Sequence, residues 1–164
     1  MFAAFAAVLI EGAVAATPSA KTFGALAGCW QVSGAVRGKD AASVARGTWH
    51  LGRRYFMLQL KSAKSSQGYE AALLYGAGEK PGGINAYWMD SFGGAYSTSG
   101  AGEITRDGFN VVYRYPDASY FNRFARAGRG WHWTIMEQAT GKPEQLFAEY
   151  RLRPTSCGGL KFNF

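Results

Sequence analysis

The chain has 164 residues, enough for one domain with a sizeable core and too few for two domains of ordinary size. It is 48% hydrophobic and 15% aromatic, with 22 glycines and only 18% charged residues, which favours strands and tight turns over helices built from long charged side chains. The 18 Lys and Arg against 11 acidic residues give a net charge of +7, which favours acidic partners but leaves the fold undetermined.

Residues 1–10 form an uncharged, Ala-rich apolar run, followed by Gly12-Ala13-Val14-Ala15-Ala16. Small residues at Ala13 and Ala15, or at Val14 and Ala16, fit the cleavage pattern of a secretory signal peptide over residues 1–16. The run lacks a preceding Lys or Arg and ends at Glu11, so a short helix packed on the domain is the alternative. It is shorter than the roughly 20 residues needed to span a bilayer, and no later stretch qualifies. Export predicts a periplasmic or secreted protein. Residues 17–27 read as a linker or short helix, opened by Pro18 and Ser19 and carrying Phe23 and Leu26.

From there, turn signals recur about every ten residues. Strands are predicted over 29–36, 45–51, 55–61, 69–75, 84–91, 95–103, 109–115, 120–126, 131–137 and 145–153. Between them lie Gly52-Arg53-Arg54, the 64–68 loop, Lys80-Pro81-Gly82-Gly83, Gly93-Gly94, Asp107-Gly108, Gly128-Arg129-Gly130 and Thr140-Gly141-Lys142-Pro143, all turn chemistry. Alternation is clearest at Phe109, Val111, Tyr113 and Tyr115, and at Leu146, Ala148, Tyr150 and Leu152. The predicted fold is all-β, a single antiparallel up-and-down β-barrel of about eight to ten strands over 28–154, with a short N-terminal helix and a tail at 155–164. Closure removes the exposed edges that a glycine-rich meander would otherwise present.

Cys29 and Cys157 stand near the two ends of that barrel. First and last strands are neighbours in such a fold, so an oxidising compartment would let the two pair in a disulfide; the alternative is two reduced, partly buried thiols.

At Gly28-Cys29-Trp30 the chain resembles the lipocalin and wider calycin signature, a Gly-x-Trp at the head of the first strand. The resemblance implies that Trp30 plugs the closed end of the barrel beneath a basic residue of the last strand, Arg151 or Arg153. More widely, the chain resembles an uncharacterised bacterial lipocalin-like family of exported proteins. The resemblance rests on Leu26-Ala27-Gly28-Cys29-Trp30, Gly47-Thr48-Trp49, Arg53-Arg54-Tyr55-Phe56, Tyr69-Glu70 through Leu74-Tyr75-Gly76, Tyr87-Trp88-Met89-Asp90-Ser91-Phe92-Gly93 and Glu149-Tyr150-Arg151. That family implies fold and export and supplies no reaction. Haem-carrying relatives such as the nitrobindins have a fuller Gly-x-Trp-x-Gly-x-Gly motif and a late proximal His that nothing here matches.

No cofactor and no metal site is predicted: His50 and His132 are isolated, and a haem ligand at His132, between Trp131 and Trp133, is the less favoured reading. No nucleophile motif is present. The expected function is binding of a small apolar or amphipathic molecule in a pocket lined by Trp49, Phe56, Trp88, Asp90, Tyr113, Arg114 and Trp133, with Asp90 and Arg114 as an inward ion pair. The alternatives are an isomerase or hydrolase using an inward carboxylate (Asp90, Glu137 or Glu149), and a binder of anionic lipid or lipopolysaccharide through Arg123, Arg126 and Arg129. Nucleic acid is not an expected partner of an exported protein.

Overall fold

The computed structural model describes residues 18–63 and 68–162. The expected signal peptide over 1–16 and residues 64–67 of the expected loop lie outside the described residues. A helix α1 (Pro18–Leu26) leads into β1 (Gly28–Val36), β2 (Lys39–His50), β3 (Tyr55–Ser62), β4 (Glu70–Ala77) and β5 (Gly83–Asp90). After a 3-10 turn at Gly94–Tyr96 come β6 (Thr98–Ile104), β7 (Gly108–Arg114), β8 (Ala118–Ala127), β9 (Gly130–Ala139) and β10 (Gln145–Thr155). Each strand pairs antiparallel with its neighbours in sequence, and β1 pairs with β10 from Cys29↔Thr155 to Val36↔Ala148, so the meander closes into a barrel. This is the expected architecture and is consistent with a lipocalin-like fold, with two strands more than the eight of lipocalins.

Alternation decides which side chains face inward. Trp30 and Val32 of β1, Leu58 and Leu60 of β3, and Phe109, Val111 and Tyr113 of β7 are buried, while their odd or even neighbours mostly are not. The interior is filled by rings in contact. Phe23 of α1 meets Phe109 at 5.2 Å, Phe109 stacks on Phe124 at 4.6 Å, Phe124 on Trp133 at 4.7 Å, and Trp133 meets Tyr150 at 4.9 Å. This column links α1 to β10 through the middle of the core.

Three departures from the sequence reading have a local reason. β2 begins at Lys39 rather than at residue 45, because Arg37 (φ 47°) and Gly38 (φ 74°) form a two-residue hairpin turn that pairs Val36 with Lys39. The small polar residues that follow are held extended by pairing rather than by their own propensity. β6 begins at Thr98, after the 3-10 turn that Gly93 (φ 100°) introduces. In β10 the register shifts between Leu146 and Ala148, so Leu146 leaves the apolar face and is 52% exposed, while Ala148, Tyr150 and Leu152 stay inside.

The helix is two and a half turns long, marginal by itself, and stands because Ser19, Phe23 and Leu26 are buried at helical spacing against the barrel. Its last carbonyls have partners. The Leu26 oxygen accepts from the Trp30 indole N–H at 2.9 Å, and that of Ala25 accepts from the Trp131 indole at 3.3 Å and from Arg126 at 3.2 Å. Gly47 makes room for this junction: a Cβ there would collide with the Leu26 carbonyl oxygen and the Phe56 ring. Cys29 and Cys157 form a disulfide, with Cα atoms 5.3 Å apart, fastening the start of β1 to the chain just beyond β10.

Candidate ligand site at the open end

The strand order gives the barrel two unlike ends. The turns after β2, β4, β6 and β8 share one end with α1; those after β1, β3, β5, β7 and β9 form the other. The first end is closed. Phe23 stacks on Phe56 and Tyr75 at 5.5 and 5.4 Å and meets Trp49 edge-on at 6.3 Å, so α1, rather than Trp30 alone, is the stopper, and Trp30 anchors its C-terminus.

Among the described residues, the second end carries no α-helix, only the 3-10 turn at Gly94–Tyr96, and is ringed by aromatic and acidic side chains. Asp90, the last residue of β5, accepts from the Trp88 indole N–H at 3.0 Å, the Tyr69 hydroxyl at 3.3 Å and the Phe92 backbone N–H at 2.9 Å. The Trp88 ring packs on Tyr113 at 5.5 Å and Trp133 at 6.2 Å. Across the mouth, Glu137 of β9 accepts from Arg37 at 2.9 Å, the Tyr120 hydroxyl at 2.9 Å and the Gln145 amide at 3.1 Å. Tyr115 donates to the Tyr96 carbonyl at 2.9 Å and packs edge-on against Tyr120.

Burial and these carboxylates shape the proton affinities. Burial alone would raise the Glu137 carboxyl, but hydrogen bonds from Tyr120 and Gln145 and the charge of Arg37 outweigh it and hold it below the ordinary value. Tyr120 is pushed up to about 12 by burial and by its bond to Glu137, and Tyr150 to about 12 by burial. Burial, then the Asp90 charge, raises Tyr69 and Tyr115. All of these phenols are neutral donors at physiological pH.

Beneath the mouth, two phenols lack partners. The hydroxyls of Tyr75 and Tyr113 are buried and lie close enough to perturb each other's ionisation, but their contact falls short of good hydrogen-bond geometry and neither has another partner. By contrast, the equally buried Trp133 indole donates to Asn122 Oδ1 at 2.9 Å.

The residues expected to line a pocket separate into three sets. Trp88, Asp90, Tyr113 and Trp133 come together in the upper half of the interior. Trp49 and Phe56 sit at the closed end against α1. Arg114 is exposed on the outer face, so it forms no ion pair with Asp90, whose partners are the neutral donors above; inward positions on β7 are odd-numbered, and 114 is out of phase. Arg151 and Arg153 are exposed, in register with Ser33 and Gln31 rather than over Trp30. The guanidiniums that stack on indoles at that end are Arg126, 5.0 Å from the Trp131 ring, and Arg53, 4.9 Å from the Trp49 ring.

Other singled-out residues also face outward. His132 pairs with Glu149 at 2.8 Å, and His50 bonds Thr48 at 2.8 Å. Arg123 pairs with Asp107 at 3.2 Å, while Arg129 lines an outer groove of about 630 Å³ with His132, Arg151 and Arg153. Among the described residues, no cluster of three His, Cys, Asp or Glu is placed to hold a metal ion.

Sequence reading put Tyr115 and Tyr150 on apolar faces but counted neither, nor Tyr75 and Tyr120, among the pocket residues, although Tyr75, Tyr120 and Tyr150 are in phase with the inward set of their strands. Tyr69 and Tyr96 fell within the strands expected from sequence but lie just outside β4 and β6, and Phe92 lies in the turn after β5. Comparison of the sequence with protein-family models and with curated proteins found no match. Fold and local geometry are therefore what speak for function.

Proposed function

We propose that the barrel binds a small amphipathic molecule through its open end, against Trp88, Tyr113, Trp133 and Tyr150. The observation that carries this reading is the pair of buried phenols, Tyr75 and Tyr113, which reach toward each other in the interior without a well-formed hydrogen bond to any group. A buried hydroxyl without a partner costs about 1–3 kcal/mol, and two together mark a place where a guest's polar atom is welcome. The Cys29–Cys157 disulfide supports an oxidising compartment, periplasmic or extracellular, where such a carrier would meet its cargo.

Native mass spectrometry of the oxidised protein after exposure to a lipid extract tests the proposal. A retained small molecule is expected, and replacing both phenols (Tyr75→Phe with Tyr113→Phe) should weaken its retention while leaving the empty protein equally or more stable. An extract from which nothing is retained overturns it.

A second reading has its own observation. The outer groove beside the 128–129 turn gathers Arg129, Arg151 and Arg153, a concentration of positive charge suited to an anionic lipid or lipopolysaccharide surface. It predicts vesicle binding that weakens steeply with salt and with Arg129→Ala/Arg151→Ala. The reading as an isomerase or hydrolase gains nothing from Glu137, whose lowered proton affinity is the reverse of what a general acid requires.

A further inference from the structure

Asp90 is solvated unlike every other interior acid. Glu137 has Arg37 as counter-ion, and the outer carboxylates Glu70 and Asp107 have Lys61 and Arg123. Asp90 has only neutral donors: an indole, a phenol and one backbone N–H. Among the described residues, no Lys, Arg or His forms an ion pair with it, in a chain whose net charge is +7. A half-buried carboxylate in so basic a protein ordinarily finds a cation, and among the described residues none of the protein's own pairs with this one.

The surroundings of Asp90 are what a cation prefers. Tyr69 donates to it and packs against Phe92 at 5.5 Å, and Phe92 packs against Tyr96 at 5.8 Å. Trp88 bonds it from the barrel side, and Tyr115 is tied to Tyr96. Phe92 and Tyr96 are large rings held on the rim at 68% and 57% exposure, a costly arrangement for a loop with no partner to cover. The faces of Trp, Tyr and Phe rings attract cations and repel anions. The three hydrogen bonds already made to Asp90 leave its negative charge intact but use most of its acceptor capacity, which suits a bulky alkylated ammonium more than a head needing several hydrogen bonds.

We propose that the rim around Asp90, with Tyr69, Trp88, Phe92, Tyr96 and Tyr115, recognises an organic ammonium group, and hence that the guest of the barrel is a cationic amphiphile. This deepens the ligand-binding reading and rests on it. The neutral part of such a guest would lie over Trp88 and Trp133, and its positive head would lie at the mouth.

Three probes with one chain and different heads separate the two levels of inference: decyltrimethylammonium, decanol and decanoate, each below its aggregation concentration, titrated by tryptophan fluorescence. The ammonium is expected to bind about tenfold or more tighter than decanol, with decanoate weakest. Asp90→Asn keeps an acceptor for the Phe92 N–H and should bring the ammonium down to the level of decanol, without changing decanol itself. Phe92→Leu, on an exposed turn where folding is not at stake, should lower ammonium affinity alone. Equal binding of all three probes, tightest binding of decanoate, or an ammonium preference that survives Asp90→Asn would overturn the cation assignment and leave the ligand-binding reading standing. Absence of binding by all three would overturn both.

Discussion

The Cys29–Cys157 bond spans 128 residues and ties the two strands whose pairing closes the barrel. Loop-closure entropy for a link of that span is about 17 cal/mol/K, or about 5 kcal/mol at room temperature, withheld from the unfolded chain. A domain of this kind is stable by only about 5–15 kcal/mol, so the bond accounts for a large share of the total. The test compares oxidised protein, the same protein reduced, and Cys157→Ala. Cys157 is exposed, so its replacement removes the link with little loss of packing, whereas Cys29 is buried and its loss would mix in a cavity. Urea unfolding followed by tryptophan fluorescence should show a loss of roughly 3–5 kcal/mol in both unlinked forms, with a steeper dependence on urea because the freed chain exposes more surface. Agreement between the reduced protein and Cys157→Ala would identify the crosslink as the cause. A loss below about 1 kcal/mol in both would refute the entropic reasoning and show that the β1–β10 ladder closes the barrel unaided.

Three further outcomes are expected. Phe23→Ala removes the ring that stacks on Phe56 and Tyr75 and should cost about 3–5 kcal/mol by urea unfolding; a cost under about 1 would mean that α1 is not the stopper. Gly47→Ala should unseat the helix, because the new methyl collides with the Leu26 carbonyl, at a cost of about 1–3 kcal/mol and with increased amide exchange over α1. Glu137 has a folded pKa below its ordinary value of 4.5, so its contribution is fully present above that value and is lost as pH falls through the folded pKa. Glu137→Gln should therefore be less stable than the parent at neutral pH, with the gap closing on acidification; a gap that widens in acid would contradict the assignment.

Much of this molecule was legible in one dimension. The strands, the all-β class and closure follow from period-two alternation broken by glycine-rich turns, and the short leading helix from Pro18 and Ser19 ahead of Phe23 and Leu26, because a strand's face and a turn's backbone are local properties. The cysteine pair was legible as an option once first and last strands were taken as neighbours. Trp88, Asp90, Tyr113 and Trp133 were legible as a group because each has the inward phase of its strand. Arg114 was misjudged on the same criterion, since its neighbours Phe109, Val111 and Tyr113 already fixed the opposite phase.

What the chain's order alone could not specify is everything set by pairing across strands. The Arg37-Gly38 turn lengthens β2 through residues with little strand preference, and a bulge at Phe147 turns Leu146 out of a face it otherwise matches. The stopper was assigned by resemblance to Trp30 under an arginine, whereas the assembled barrel uses Phe23 of a helix whose carbonyls are held by two indoles and Arg126. That the partners of Asp90 are uncharged donors rather than Arg114 emerged only from the assembled barrel, because a missing counter-ion is a property of the space around a residue. Backbone preference is written locally in the sequence; the choice of partner is made by closure, which brings residues a hundred positions apart into contact.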